Sequence, residues 1–539
     1  MYDYIIVGAG SAGCVLADRL SEDPAVRVLL LEAGGKDTNP FIHIPAGFGR
    51  LQKPSVNWCF HLKPQKHLND REIWYPQGKT LGGSSSINAM IYIRGQRADY
   101  DGWAEAGNDG WSYREVLPYF MRSEHNERLA DEYHGTGGRL GVSDQISQNI
   151  LSKAFVRAAQ QAGHKYNPDF NGAFQAGTGP YQVTCRDARR ASTAREFLRP
   201  ALSRKNLTVE IKSFAQKILV EKSRAVGLTY RVGGGSKTAR CDQEIIVSSG
   251  AVGSPRLLLL SGIGPAGELA KLDIETVHDL PGVGGNMQDH LDSYVVSDLK
   301  QPLSYDGADR FPKSFKNGLE YLFFKSGPAT SVVAESGCFA ATTESGRPDI
   351  QLHILPAYVV NSGRTAIKGH GITINTCVLR PESRGSITLA SNDAAAMPII
   401  DPNFHAVETD REMSIKGVRL AREILAQSEL SRHIEREFLP GAEANTDAEI
   451  LDYIKQYASV DYHPVGTCKM GRDAMAVVDA ELRVHGLEGI RIVDSSIMPN
   501  LISGNTNAPS IMIGEKGAAM IRGESALIAD LDDGGERAF

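Results

Sequence analysis

The chain has 539 residues, 42% of them hydrophobic and 23% charged, with a formal net charge of −6. This balance describes a globular chain of about three or four domains, with no basic tract for nucleic acid and no run near the ~18 apolar residues of a membrane-spanning helix. Its seven cysteines are scattered, odd in number and without a CxxC pair, so reduced thiols in the cytoplasm are expected, and neither a zinc site nor a disulfide framework.

In chain order, Tyr4-Ile5-Ile6-Val7 reads as an apolar strand, Gly8-Ala9-Gly10-Ser11-Ala12-Gly13 as a turn, and Cys14 to Leu20 as a helix. In such a unit Gly8 permits the tight bend, Gly10 lets a pyrophosphate approach the backbone, and Gly13 lets helix and strand pack closely, with the helix amides facing the anion. A second strand, Arg27 to Leu31, ends at Glu32, placed to bind ribose hydroxyls and to reject a 2′-phosphate. A strand so near Met1 leaves no targeting segment in expectation.

Asn39 to Phe48 is an apolar, proline-containing loop that either covers a cofactor or simply packs. Gly78-Lys79-Thr80-Leu81-Gly82-Gly83-Ser84-Ser85-Ser86-Ile87-Asn88-Ala89-Met90 gathers amides, hydroxyls and one cation, a composition that suits phosphate and a flat ring. Strand Glu244 to Val247 leads into a third glycine-rich stretch, Gly250 to Gly264, and Leu280 to His290 follows as a turn packing beside the cofactor. Arg310 to Lys325 places Phe311, Phe315, Leu319, Leu322 and Phe323 near helical spacing with Lys313 and Lys316 on another side. This is either a membrane-facing lid or, as the weightier alternative, a helix packing on its own sheet. Gly371 to Leu379 and Gly385 to Leu389 read as strands and Asp410 to Gln427 as a helix. The last motifs are Tyr462-His463-Pro464-Val465-Gly466-Thr467-Cys468, strand Ile490 to Val493 with Asp494 and Ser495, and Asn505-Thr506-Asn507-Ala508-Pro509.

These separated stretches, in this order, resemble the glucose-methanol-choline (GMC) family of FAD-dependent oxidoreductases over nearly the whole chain, and within it the bacterial choline-dehydrogenase-like alcohol dehydrogenases. The resemblance implies an α/β fold, α+β overall. A Rossmann-like FAD-binding domain would be assembled from 1–150, 200–300 and 460–530. A substrate domain, an antiparallel sheet flanked by helices, would comprise 151–199 and 301–459, with a tail at 531–539. It implies FAD contacts at Gly8, Gly10, Ser11, Ala12, Gly13, Glu32, Ala33, Gly78, Leu81, Gly82, Ser86, Asn88, Ala89, Met90, Ile91, Ala215, Asp494, Ser495, Thr506 and Asn507. No metal is implied. Where some members carry a histidine bonded to the flavin, this chain has Ile87, so the FAD is expected to be noncovalent.

Oxidising an alcohol needs a base for the hydroxyl proton and an acceptor for the hydride. A neutral imidazole, with an ordinary pKa of about 6.5, suits the first role, and flavin N5 suits the second. His463 is the expected base, and by resemblance Asn505 is its partner, hydrogen-bonding the substrate oxygen as alkoxide character develops. The expected reaction is oxidation of a primary alcohol, aliphatic or aromatic and amphipathic or apolar, with electrons passing to a quinone or another acceptor. Neither the 39–48 nor the 310–325 segment offers an anionic cluster for a quaternary ammonium group. The alternatives are an oxidase using O2, a hydroxynitrile-lyase-type enzyme on the same scaffold, a noncatalytic flavoprotein, and a Cys468 thiol activated by His463. A cytoplasmic enzyme, with peripheral contact to the inner membrane as an option, completes the expectation.

Overall fold

The structure is a computed structural model that describes residues 1–531, so all but the first residue of the expected 531–539 tail lies outside the described residues. Two seven-stranded sheets organise it. In the first, strands Leu207–Ile211, Val28–Glu32, Tyr2–Val7 and Gly235–Val247 lie side by side in parallel, and Ile490–Ile492 adds in parallel to Gly235–Val247. Val28–Glu32 is buried along its whole length. That is why its sequence is a continuous apolar run instead of an alternating one: a parallel sheet is covered on both faces. Gly235–Val247 serves two partners. Its second half joins the parallel strands, while its first half turns antiparallel to Arg224–Val232, which in turn pairs with Phe214–Glu221.

The second sheet is antiparallel throughout, ordered Ile434–Leu439, Leu291–Leu299, Gly371–Val378, Ile350–Leu355, Ser336–Ala340 and Gly177–Pro180, with Ser459–Val460 pairing to the start of Leu291–Leu299. The change of sheet falls at Leu291, before the expected boundary at 300. Helix Glu408–Ala426, matching the expected 410–427 within two residues, packs on this sheet with Ile150–Gln161. Its first turn carries Glu408 and Asp410, the sign that the helix dipole favours there.

The helix after the first strand, Ser11–Leu20, packs along the C-terminal helix Asn507–Ile521. Arg19 clasps the buried Glu515 of that helix with both guanidinium edges, Nε–Oε2 at 2.9 Å and Nη2–Oε1 at 2.8 Å. Paired charges of this kind are costly to separate once buried. The two ends of the described chain therefore meet beside the first sheet.

One expectation is overturned. Lys313–Phe324 is a helix, but its apolar side does not pack on the sheet: Phe315, Leu319, Leu322 and Phe323 are exposed, and only Tyr321 is buried.

Candidate active site

A cavity of about 450 Å³ runs between the two sheets. One end is the nucleotide turn. Gly8 sits at φ +104°, and a Cβ there would meet Ser248 O at 2.4 Å; a Cβ on Gly13 would lie 1.9 Å from Gly8 O. Both glycines are thus required by protein packing. Gly10 is different, because its nearest neighbour would be Ser248 O at 4.0 Å. The open space over Gly10, at the amide-rich start of helix Ser11–Leu20, is a cradle for a phosphate. Glu32 faces the same end, accepting hydrogen bonds from Ala9 N (3.0 Å) and Gly34 N (2.7 Å), and burial raises its carboxyl to about 7.

The remaining expected contacts divide into two groups. Gly8, Gly10, Ser11, Ala12, Glu32, Ala33, Gly78, Asn88, Ala89, Met90, Ile91, Ala215, Asp494, Ser495, Thr506 and Asn507 all line the cavity, as do His463 and Asn505. Gly13, Leu81, Gly82 and Ser86 do not; they stand behind the wall and hold it. Gly82 N donates to Ala9 O at 2.7 Å and Ser86 Oγ to Leu81 O at 2.7 Å, which pins the second glycine-rich loop onto the first. Asp494 accepts from Gly250 N (2.9 Å), Ser254 Oγ (2.5 Å) and Ser496 N (2.8 Å), so it ties the third glycine-rich stretch to the end of strand Ile490–Ile492. Phe48 and Leu51 line the cavity too, so the loop read at 39–48 covers it in part. A long phosphate-containing group with a flat ring fits this run of glycine backbone and helix amides with the buried Glu32 carboxyl beside it.

At the other end His463 is buried, and Asn505 Nδ2 donates to its Nε2 at 3.1 Å. Its other nitrogen, Nδ1, lies 3.0 Å from Nδ1 of His290. His290 Nε2 in turn lies 2.9 Å from the Leu379 carbonyl oxygen, which can only accept. The proton assignments follow in sequence: His290 carries its proton on Nε2, so its Nδ1 is an acceptor, so His463 carries its proton on Nδ1, and the lone pair on His463 Nε2 is the acceptor that Asn505 Nδ2 meets. Burial, then the neighbouring His290 and His353, lowers the His463 pKa well below the ordinary value, and burial brings His290 down to about 4. Both rings are therefore neutral at neutral pH.

Asp289 fixes the backbone of this pair. Its Oδ1 accepts from His463 N (2.7 Å) and His290 N (2.8 Å), and its Oδ2 accepts from the Tyr75 hydroxyl. Burial raises its carboxyl to about 7. Tyr462, just before the histidine, is held at φ +63°, a left-handed conformation rarely adopted by a bulky residue and of the kind that clusters at functional sites. Gln351 Nε2 reaches Asn505 Oδ1 at 3.3 Å and so orients the amide with its nitrogen toward His463.

Sequence reading missed Asp289, Tyr75, Gln351 and His353, and took His290 only as part of a turn; the QDH tripeptide at 288–290 was its one local sign. It also missed two carboxylates. Asp292 and Asp461 line the cavity near His463, because the pairing of Asp292 with Ser459 brings the two segments together. Asp292 Oδ1 and Asp461 Oδ2 have no hydrogen-bond partner, and burial raises both carboxyls. The absence of an anionic cluster from 39–48 and 310–325 therefore does not describe the cavity. Cys468 is buried behind the cavity wall, and burial, then Asp494, pushes its thiol well above the ordinary range. An activated thiol nucleophile has no support in this arrangement.

The profile of the GMC oxidoreductase family matches residues 2–292 and 381–514. Alcohol dehydrogenase [acceptor] from Pseudomonas putida is 47% identical over 527 residues, covering 97% of this chain and 96% of its own. Mitochondrial choline dehydrogenase from Mus musculus is 43% identical, covering 98% and 90%. Among solved structures, pyridoxine 4-oxidase from Mesorbium loti superposes with a TM-score of 0.89 at 32% identity, over 97% of this chain and 100% of that one.

Proposed function

Because the chain belongs to the GMC oxidoreductase family and is an FAD-dependent enzyme acting on CH–OH donors, we propose that it oxidises a primary alcohol to the aldehyde with His463 as the base. When bound, FAD supplies the two-electron acceptor, at flavin N5. The residues to hold it are the glycine backbone at 8–13, Glu32, the 78–91 loop, Ala215, Asp494 and Ser495, with Thr506 and Asn507 at the flavin. Ile87 faces the cavity and offers no nucleophile, which supports noncovalent attachment.

His463 Nε2 takes the hydroxyl proton. Its tautomer is set in advance by His290 and Leu379, so no proton has to relocate before substrate arrives. Asn505 Nδ2 has two hydrogens. One meets His463 before substrate arrives; when the substrate hydroxyl takes the Nε2 lone pair instead, the amide is released to hydrogen-bond the substrate oxygen, where donation strengthens as negative charge develops. The observation that carries the reading is this hydrogen-bonded His463–Asn505 pair on the wall of the cofactor cavity, with the lone pair on the nitrogen that faces Asn505.

The unpartnered oxygens of Asp292 and Asp461 favour the amphipathic side of the expected substrate range. An alcohol whose far end offers a hydroxyl or a cationic group would satisfy them, whereas a wholly apolar one would leave them unpaired at a cost of about 1–3 kcal/mol each. The reduced enzyme passes its electrons to a quinone or another carrier. Among the described residues no helix is long and apolar enough to cross a membrane.

The test is anaerobic mixing with a panel of primary alcohols, choline included, while flavin absorbance is followed, and then admission of air or a quinone analogue. Bleaching by an alcohol, with recovery on the quinone analogue alone, is the expected result. No bleaching by any alcohol would overturn the reading, and recovery in air would replace the dehydrogenase with an oxidase.

A further inference from the structure

Helix Lys313–Phe324 is turned the wrong way for a helix of a water-soluble domain. Phe315, Leu319, Leu322 and Phe323 share one side by their spacing, and that side faces out: Phe315 is 63% exposed, Leu322 64% and Phe323 75%. Phe311 before the helix and Phe324 at its end add two rings at 84% and 76%. The inward side carries the polar anchors. Tyr321 is buried and donates its hydroxyl proton to Ala188 O at 3.1 Å, and Asn317 Nδ2 donates to Ala308 O at 3.0 Å. The orientation is thus fixed by specific contacts, and the apolar side is presented to whatever lies outside. Elsewhere the exposed large apolar residues are scattered; six are concentrated here within fourteen positions, a density that marks an interaction surface.

The charges beside these residues indicate the partner. Lys313 and Lys316 are exposed, and neither forms an ion pair with a carboxylate among the described residues; Lys325 is exposed at the helix end, with Arg310 at its start. The helix's one acid, Glu320, is turned toward Ser326 and Gly327. Apolar side chains projecting outward and bordered by lysines, with Asp309 paired to Arg50 and Glu320 turned toward Ser326, complement a surface that is anionic at the level of the lysines and hydrocarbon beneath it. We infer that this helix docks the protein on the surface of an anionic lipid bilayer, inserting Phe311, Phe315, Leu322, Phe323 and Phe324 among the acyl chains while Lys313, Lys316 and Lys325 meet the headgroups.

The placement gives this docking a use. The helix runs into the Pro328–Thr330 turn, which packs on Pro45–Arg50, and the neighbouring Phe48, Leu51, Val332 and Ala334 line the cavity. The bilayer would lie beside the segments that cover the site, where a lipid-soluble electron acceptor or an amphipathic alcohol is concentrated; this use rests on the function proposed above, but the docking itself does not.

The experiment is co-sedimentation of the FAD-loaded enzyme with vesicles of phosphatidylglycerol mixed into phosphatidylcholine, and with pure phosphatidylcholine vesicles. Wild type pellets with the mixed vesicles. The F315S/L322S/F323S variant, whose changes are all at exposed positions, keeps its flavin spectrum and its turnover with a water-soluble acceptor but loses vesicle binding by about tenfold or more. K313E/K316E loses the preference for the anionic vesicles. Wild type remaining in the supernatant, or the serine variant binding as wild type does, overturns the inference. So does a wild-type dimer that ignores vesicles and becomes monomeric in the serine variant, which would give the face to a second copy of this chain.

Discussion

Ser11 and Asn507 are joined by a 2.8 Å hydrogen bond from Ser11 Oγ to Asn507 Oδ1, although 496 positions separate them. Each stands at the start of a helix, and the Arg19–Glu515 pair ties the same two helices further along. The turn proposed to hold phosphate and the segment that carries Asn505 are therefore braced as one body. That rigidity is what a reaction between cofactor and substrate requires, since misplacement by about 1 Å can cost on the order of 10² in rate.

Replacing His463 with alanine removes the proposed base and leaves the glycine-lined end of the cavity untouched. Turnover is expected to fall by about 10² to 10⁴ with FAD still bound. Stopped-flow reduction of the variant's flavin by the best alcohol is the check, and an unchanged rate removes His463 from the role.

His290→Leu tests whether the second imidazole fixes the first. Without the His290 Nδ1 acceptor, His463 is free to carry its proton on Nε2, the wrong nitrogen for a base. The expected result is a kcat lower by about tenfold or more with KM nearly unchanged, as when an orienting partner is lost from a histidine base. A parallel rise in KM with kcat intact would assign His290 to substrate binding instead.

The pH profile follows from the direction of the His463 shift. Only the neutral ring accepts a proton, and burial together with His290 and His353 holds its pKa well below the ordinary histidine value. As pH falls, the base is lost only after the ordinary value of about 6.5 has been passed. The rate of flavin reduction should be flat through neutral and mildly alkaline pH and decline on the acid side of that value. A limb near neutrality that Asp289→Asn abolishes would belong to the carboxyl that holds the histidine pair, and one that survives that change would show that a different group is the base.

Two neighbouring glycines should behave differently. Gly13→Ala forces a Cβ against Gly8 O and should disrupt the fold of the first unit, whereas Gly10→Ala meets no protein atom closer than 4.0 Å. Gly10→Ala is therefore expected to give a folded, stable protein with weakened FAD affinity, read by flavin content after gel filtration. Normal FAD retention would mean that no phosphate passes over Gly10.

Asp461→Asn removes one of the two carboxyls that carry an unpartnered oxygen, without changing size. For an alcohol that carries a cation or a far hydroxyl, KM should rise by about tenfold or more, in line with 1.5–3 kcal/mol for a hydrogen bond to a charged group, while a plain aliphatic alcohol should be affected little. Equal effects on both would leave the pair without a part in substrate choice.

What the sequence disclosed was local. A glycine that must bend or be approached closely is legible from its neighbours, and so are the apolar strand ahead of it and a histidine inside a distinctive heptapeptide. The His290–His463 pair was not legible, because the contact depends on strand Leu291–Leu299 lying against Ser459–Val460, a register set by the whole antiparallel sheet. The same register makes neighbours of Asp292 and Asp461. Periodicity found the helix after Phe311, yet the direction it faces depends on Tyr321 and Asn317 reaching partners that no pattern of apolar residues encodes.

The order of strands in the first sheet also sets a schedule for synthesis. Tyr2–Val7 is made first, but its neighbour Gly235–Val247 emerges about 240 residues later, roughly 10–50 s at ribosomal speeds of 5–20 residues per second. Asn505 and Asn507 follow about 260 residues after that strand. During that interval an apolar strand waits with an open edge, which is a site for aggregation unless it is shielded, and the wall that Asn505 and Asn507 add to the cavity is made only after both strands.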